Sequence, residues 1–191
     1  MTDVTQYIKT YLDGVKSLID LVSPAQVIRF AELLEEAWKN DRRVLLMGNG
    51  GTSATVSHIV NDFQKCMDLE CGKPLKTICL SDCTPLVMAW ANDTEFANVF
   101  APQVKCWAEP GDLVIGVSGS GNSPNIINGM VMANEMGAMS FGLAGFGGGK
   151  LAQTAKECIV VDSTNMQQIE DLHMILFHVV FSIVRDRNRK V

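Results

Sequence analysis

The 191-residue chain is sparing with charge, and several common signatures are missing from it. Only 19% of residues are charged, with Lys+Arg 16 against Asp+Glu 21 and a formal net charge of −5. The densest basic cluster, Arg185–Lys190, sits at the extreme C-terminus. A protein that grips nucleic acid by neutralising phosphates shows a basic face, so no nucleic-acid partner is expected. The longest apolar stretch, Met174–Val184, is interrupted by His178 and Ser182. It is too short to span a bilayer. Met1–Gln6 carries neither the basic nor the apolar segment of a secretory signal. The expectation is a cytoplasmic protein with no membrane partner. None of the six cysteines forms a C-x-x-C pair. Cys66 and Cys71 have no matching pair elsewhere, so a zinc knuckle is not expected. Cys79 and Cys158 lie inside apolar runs and read as small core residues.

An apolar content of 47% and a mean hydropathy of +0.14 exclude a disordered chain. The length suits one domain with one large core. The first forty residues are helical in pattern. Tyr7, Tyr11, Val15, Leu18 and Val22 recur at intervals of three and four. Ser23-Pro24 then opens a second helix, with Val27, Ala31, Leu34 and Trp38 on one face. After residue 42 short apolar runs alternate with amphipathic stretches. The runs are Val44–Met47, Leu75–Leu80, Leu113–Val117, Met139–Ala144 and Cys158–Val161. Continuous runs of this length predict strands covered on both faces. Helices are expected over about 53–65, 84–105 (in two pieces that break at Asn92-Asp93), 124–136, 149–156 and 166–184. Strands alternating with helices make a parallel α/β sheet.

Two strand ends look built for phosphate. The first run leads into Gly48-Asn49-Gly50-Gly51-Thr52-Ser53 and then a helix. The third leads into Ser118-Gly119-Ser120-Gly121-Asn122-Ser123-Pro124 and then a helix. In open α/β sheets ligands bind beyond the carboxyl ends of the strands. Helix N-termini there offer free N–H groups and partial positive charge, and hydroxyls add donors. One glycine-rich bend alone is equally a tight connection. Two bends, one with three serines, point to a small phosphorylated ligand. Neither is a Walker A sequence, and the first matches only half of a dinucleotide fingerprint.

Gly-Asn-Gly-Gly, the later Ser-Gly-Ser-Gly-Asn-Ser-Pro and the Asn-Asp between them resemble the sugar isomerase (SIS) domain, most closely its phosphoheptose isomerase group. The resemblance implies a single SIS domain over 1–191. It would have a five-stranded, flavodoxin-like parallel sheet flanked by helices (41–191) and an N-terminal helical pair (1–40) for packing and oligomerisation. It implies an aldose–ketose isomerase converting sedoheptulose 7-phosphate to a heptose 7-phosphate. The protein would be a homotetramer or a dimer. By motif match, Asn49, Gly50, Gly51, Asn92, Asp93, Ser118, Gly119, Ser120 and Ser123 would bind substrate. The same resemblance places zinc on His58, Asp62, Glu170 and His178, with Asp62 and His178 catalytic and Glu170 also near substrate. The sequence departs from the family at Asp62 (Glu there), Glu170 (Gln there) and Thr55 (Asp there). These departures carry a second implication, a non-catalytic phosphosugar sensor or docking protein like relatives that bind the bacterial replication initiator.

The residues have their own chemistry beside the resemblance. His58 and Asp62, at i and i+4, share a helix face that suits a divalent cation or an ordinary solvated pair. Glu170 and His173 stand at i and i+3, another metal spacing. Glu170 and His178 are eight apart, about 12 Å of helical rise. Local spacing therefore favours His173 and the resemblance favours His178, while His173 also reads as a core histidine.

Overall fold

Leu45 and Met47 face one side of the sheet and Val44 and Leu46 the other, and all four are fully buried. That two-sided burial is what a continuous apolar strand requires. A computed structural model describes residues 3–190. Its five parallel strands are β1 (Arg43–Met47), β2 (Lys76–Cys79), β3 (Leu113–Ser118), β4 (Met139–Ala144) and β5 (Glu157–Val160). Their spatial order is β2-β1-β3-β4-β5. The chain steps from β1 outward to β2, then crosses back to β3. A crevice therefore opens beyond the carboxyl ends of β1 and β3, at the point where the winding reverses.

Helices cover both faces. One core joins Val44, Leu46, Ile115 and Leu143 to α2 (Pro24–Lys39), α3 (Gly50–Asn61) and α9 (Met166–Asn188). Within it Phe30 stacks on Phe141 at 4.2 Å between centroids and meets Phe177 edge-on at 5.7 Å, fastening α2 and α9 to β4. The opposite core joins Leu45, Met47 and Val114 to α6 (Ala101–Trp107), α7 (Pro124–Glu135) and α8 (Gly149–Thr154). Two further α-helices complete the set of α-helices among the described residues, α4 (Met67–Cys71) and α5 (Thr84–Asp93), besides the N-terminal α1 (Val4–Asp20).

α1 contributes no fully buried residue. Val15 and Leu18 pack on the core, and Tyr11 Oη donates to Asp171 Oδ2 at 2.6 Å, tying α1 to α9. Tyr7 departs from the expected face and stands exposed with Val4, Ile8 and Leu12. No helix among the described residues is long and apolar enough to cross a membrane.

The elements follow the sequence expectations with the following differences. The break expected at Asn92-Asp93 comes later: both residues close the last turn of α5, the chain leaves that helix at Thr94, and α6 begins at Ala101. β2 and β5, at the edges of the sheet, are not covered on both faces, and Lys76 and Val160 stand exposed. α3 starts at Gly50 rather than Ser53, because Asn49 N donates to Thr52 Oγ1 at 2.9 Å and draws the glycine pair into the first turn. It does not run smoothly to Lys65. A π-turn spans Asp62–Cys66 before α4. α9 continues to Asn188, where the Asn188 amide bonds Val184 O and Glu35 and Arg187 pairs with Glu35.

Candidate active site

The two glycine-rich bends lie side by side. Asn49 and Asn125 exchange amide hydrogen bonds of 2.9 and 2.8 Å. Thr52 Oγ1 also reaches the Val117 carbonyl at 3.3 Å. Adjacent strands produce this neighbourhood, since β1 pairs with β3 through Met47 and Gly116. Within the serine bend, Ser118 is buried and its Oγ lies 3.0 Å from Ser123 Oγ. Ser120 Oγ accepts from Asn122 N at 3.2 Å. Ser123 is the N-cap of α7, yet its side chain makes no capping hydrogen bond. Its hydroxyl is turned toward Ser118 instead. Pro124 has no N–H, Ile126 N donates to Asn125 Oδ1 and Ile127 N to Ser123 O, so in the first turn of α7 the Asn125 N–H is left for an anion, beside two hydroxyls that can donate.

The first turn of α9 lies across both bends. Met166 packs on Gly119 and Glu170 on Gly51. A Cβ at Gly51 would sit 2.6 Å from Glu170 Oε1, so only glycine admits the carboxylate so close to α3. Further along, His58 on α3 meets His178 on α9, with Nε2 atoms 3.2 Å apart. Position 51 therefore faces 170 and position 58 faces 178. The two helices run side by side in the same direction, advancing seven and eight residues, about 10–12 Å, between the two contacts.

Asp62 joins the histidines. Its Oδ2 is 3.9 Å from His58 Nε2 and 3.7 Å from His178 Nε2. The π-turn starts at this residue, and such bulges recur at functional sites because they re-aim side chains. The other oxygen, Oδ1, takes the Asn61 amide at 3.3 Å and the Cys66 thiol at 3.9 Å, leaving Oδ2 toward the imidazoles. One ligand atom from each of His58, Asp62 and His178 lies within 4.8 Å of the others.

This donor set fits a divalent cation of the zinc type. Two nitrogens bound tetrahedrally at zinc distances stand about 3.3 Å apart, against 3.2 Å between the two Nε2 atoms. The carboxylate oxygen is a few tenths of an ångström too far, a gap that small rotations close. Without a cation, one imidazole must donate its Nε2 proton to the other.

Glu170 is not in this trio. It lies against Gly51, at the other end of the α3–α9 contact. Asn92 and Asp93 occupy the last turn of α5, exposed and hydrogen-bonded to each other at 2.9 Å, with no bond to either bend among the described residues. Thr55 is buried in α3. His173 is fully buried on α9, and burial pushes its imidazole pKa down to about 4, opposed by the Ala144 backbone. Asn125, which locks the bends together, was not foreseen. Its place one residue past the Ser123-Pro124 helix start was the available signal.

Residues 7–145 match the SIS domain family. The chain is 36% identical over 161 residues to a phosphoheptose isomerase of Aquifex aeolicus, covering 84% of each. It is 30% identical over 185 residues to one of Geotalea daltonii, 97% of this chain and 95% of the relative. The solved phosphoheptose isomerase GmhA of Neisseria gonorrhoeae superposes with a TM-score of 0.88 at 25% identity, covering 96% of this chain and 99% of that one. A likeness in fold alone extends to NanR of Vibrio vulnificus, whose structure is complexed with ManNAc-6P, at a TM-score of 0.70 and 16% identity. With the motif, the strand order and most of the chain's length in agreement, this protein belongs to the SIS-domain family.

Proposed function

We propose that the protein isomerises a phosphosugar, interconverting sedoheptulose 7-phosphate and the heptose 7-phosphate aldose. The observation that carries this reading is the shared axis of α3 and α9. One end holds the two anion-suited bends, and the other holds two imidazoles and a carboxylate. The relatives at 30–36% identity, named phosphoheptose isomerases, support the same substrate.

In this reading Ser118, Ser120, Ser123 and the Asn125 N–H hold the phosphate. Asn49, Gly50, Gly51 and Glu170 face the sugar hydroxyls. Gly119 keeps the serine bend close under α9, and Asn92 and Asp93 are assigned to the substrate by the family likeness alone. The carbon chain then runs along α3 toward His58, Asp62 and His178. Aldose–ketose conversion moves a proton between neighbouring carbons through an enediol. Asp62 takes the proton from the carbon next to the carbonyl. His178 carries the second proton between the two oxygens. The Asp62 proton is returned to the former carbonyl carbon, so no oxidant or reductant is consumed. His58, Asp62 and His178 would hold zinc, while Glu170, the fourth group that the family likeness implies, lies against Gly51 at the other end of the helix pair; a bound zinc would supply a Lewis acid that polarises the carbonyl and offsets enediolate charge. The apolar residues exposed on α1, among them Val4, Ile8 and Leu12, support self-association. The reading keeps residues 1–191 as one domain assembled as a dimer or tetramer.

The test is turnover of sedoheptulose 7-phosphate by the purified protein, with and without zinc, followed by NMR. Aldose signals are expected. Clear binding without conversion would instead identify a phosphosugar sensor.

A further inference from the structure

The π-turn that opens at Asp62 is held from outside its own helix. Such a turn carries one residue more than an α-turn, so the hydrogen-bond ladder shifts and a carbonyl must find a donor elsewhere. Phe63 O takes its donor from Leu75 N at 3.0 Å, on the segment that leads into β2. One residue further, Gln64 Nε2 donates to Thr77 O at 2.7 Å. β2 is an edge strand, and the Gln64 amide stands in for the strand neighbour that it lacks on its outer side. The anchor is itself fixed. Trp38 Nε1 donates to Lys73 O at 2.8 Å and Lys73 Nζ to Trp38 O at 2.7 Å, which ties the same segment to α2. On the inner side the Phe63 ring is buried, 6.3 Å from the Phe181 ring of α9. Asp62 directly precedes these fastenings. Its own carboxylate is loosely held, by the Asn61 amide at 3.3 Å and the Cys66 thiol at 3.9 Å. The aim of Oδ2 at the imidazoles is therefore set by the backbone of the turn.

We propose that Gln64 is a positioning residue: by clamping the π-turn to the edge of β2 it sets where the Asp62 carboxylate stands between His58 and His178. The assignment rests on the phosphosugar isomerase reading above. Asp62 stands where the family likeness places glutamate. One methylene shorter, it has one rotatable bond fewer with which to correct a misplaced backbone. A π-turn persists where its surroundings hold it, so a turn released from β2 can relax toward regular α-helix and carry the carboxylate with it. The clamp has a definite chemistry. The Thr77 carbonyl needs an N–H donor. Glutamate at position 64 keeps the shape but brings acceptors to an acceptor. Arginine places a donor, Nε, at the same distance along the side chain as the glutamine Nε2. The cavity of about 290 Å³ beside Gln64, walled by Pro74–Ile78 and by Arg43, can take the rest of its guanidinium. Arg43 is already paired with Glu109.

The experiment follows turnover of sedoheptulose 7-phosphate, and the visible absorption of the cobalt-loaded protein, in the full chain and in Gln64→Ala, Gln64→Glu and Gln64→Arg. Gln64 is exposed, so each variant is expected to fold. In the alanine and glutamate variants kcat should fall at least about tenfold, since a group displaced by about 1 Å loses on the order of a hundredfold. KM should stay within about twofold, because the phosphate is held at the far end of the helix pair. Arginine should restore kcat to within about threefold of wild type. The cobalt bands report the geometry of the bound ligands, and they should change in the alanine and glutamate variants and return in the arginine variant. A residue that only supports the fold would lower the melting temperature and leave kcat and the cobalt bands in place, and that result overturns the assignment. Equal losses in all three variants overturn it as well, because the donor would then not matter. A wild type without turnover removes the proposed function, and the cobalt bands then decide the clamp by themselves: identical bands in wild type and Gln64→Ala reject it.

Discussion

His58 Nε2 and His178 Nε2 face each other at 3.2 Å across the α3–α9 contact, close to the edge of a zinc coordination tetrahedron. Their ring planes are steeply inclined, at 74°, so the two rings converge rather than stack. Replacing either histidine with alanine is expected to weaken zinc binding at least about a hundredfold, read by competition with a chromogenic chelator. Phosphate affinity should stay within about twofold, because the serine bend lies at the far end of the helix pair. Equal zinc affinity in wild type and both variants would refute the pairing.

Asp62→Asn should separate chemistry from binding. The amide keeps the size and the Asn61 neighbour but removes the base. The expected result is a fall in kcat of about 10²- to 10⁴-fold, with phosphosugar affinity little changed. The shorter side chain already brings Oδ2 within 3.7 Å of His178. Asp62→Glu is accordingly expected to give no rate gain beyond about twofold. A large gain would show that reach is limiting.

Ser123→Ala tests the phosphate cradle without the usual confusion with helix capping. An N-cap serine replaced by alanine typically costs about 1 kcal/mol, but Ser123 makes no capping bond to lose. It does lose the 3.0 Å bond to the buried Ser118 hydroxyl, so stability should fall by about 1–3 kcal/mol, while phosphosugar affinity drops about tenfold or more. Asn125→Ala should lose a similar amount of stability while leaving all three cradle hydroxyls in place. It strands the Asn49 amide in a part-buried position and costs about 1–3 kcal/mol of stability. Calorimetric melting and phosphosugar titration of the pair separate the two cases.

His173 gives the stability a pH dependence of known sign. Its folded pKa, about 4, lies below the ordinary 6.5. Between these values the unfolded chain binds a proton that the folded chain refuses, so stability is lost as pH falls from about 6.5 toward 4. The whole effect is about 3 kcal/mol. His173→Leu, similar in size and uncharged, should lose less stability than wild type over that interval. Parallel denaturation curves at pH 7 and pH 4.5 provide the comparison, and identical pH slopes would contradict it.

The strands were legible because each is a short apolar run; β1, β3 and β4 are buried on both sides, while the edge strands β2 and β5 are covered less completely. The serine bend was legible for a similar reason, since glycine, hydroxyls and Ser-Pro fall within a few consecutive residues. Other features were out of reach. The π-turn at Asp62 carries no local marker, because a π-bulge is selected by what the turn packs against and aims at. Tyr7 has the right spacing for the α1 face, but α9 covers only the later turns of that helix. Asn125 looked like any polar residue in a first helical turn.

What the sequence determined alone is the set of local conformations and the residue types, namely five apolar strands, two anion-suited bends, and imidazole and carboxylate groups on two helices far apart in the chain. Tertiary structure decided which of these meet. The order β2-β1-β3-β4-β5 puts the bends side by side, and the parallel docking of α3 on α9 pairs His58 with His178 while carrying Glu170 to Gly51. Local spacing made His173 the natural companion of Glu170. The core took His173 instead, because the face of α9 that packs on the sheet is set by where its apolar residues can be buried.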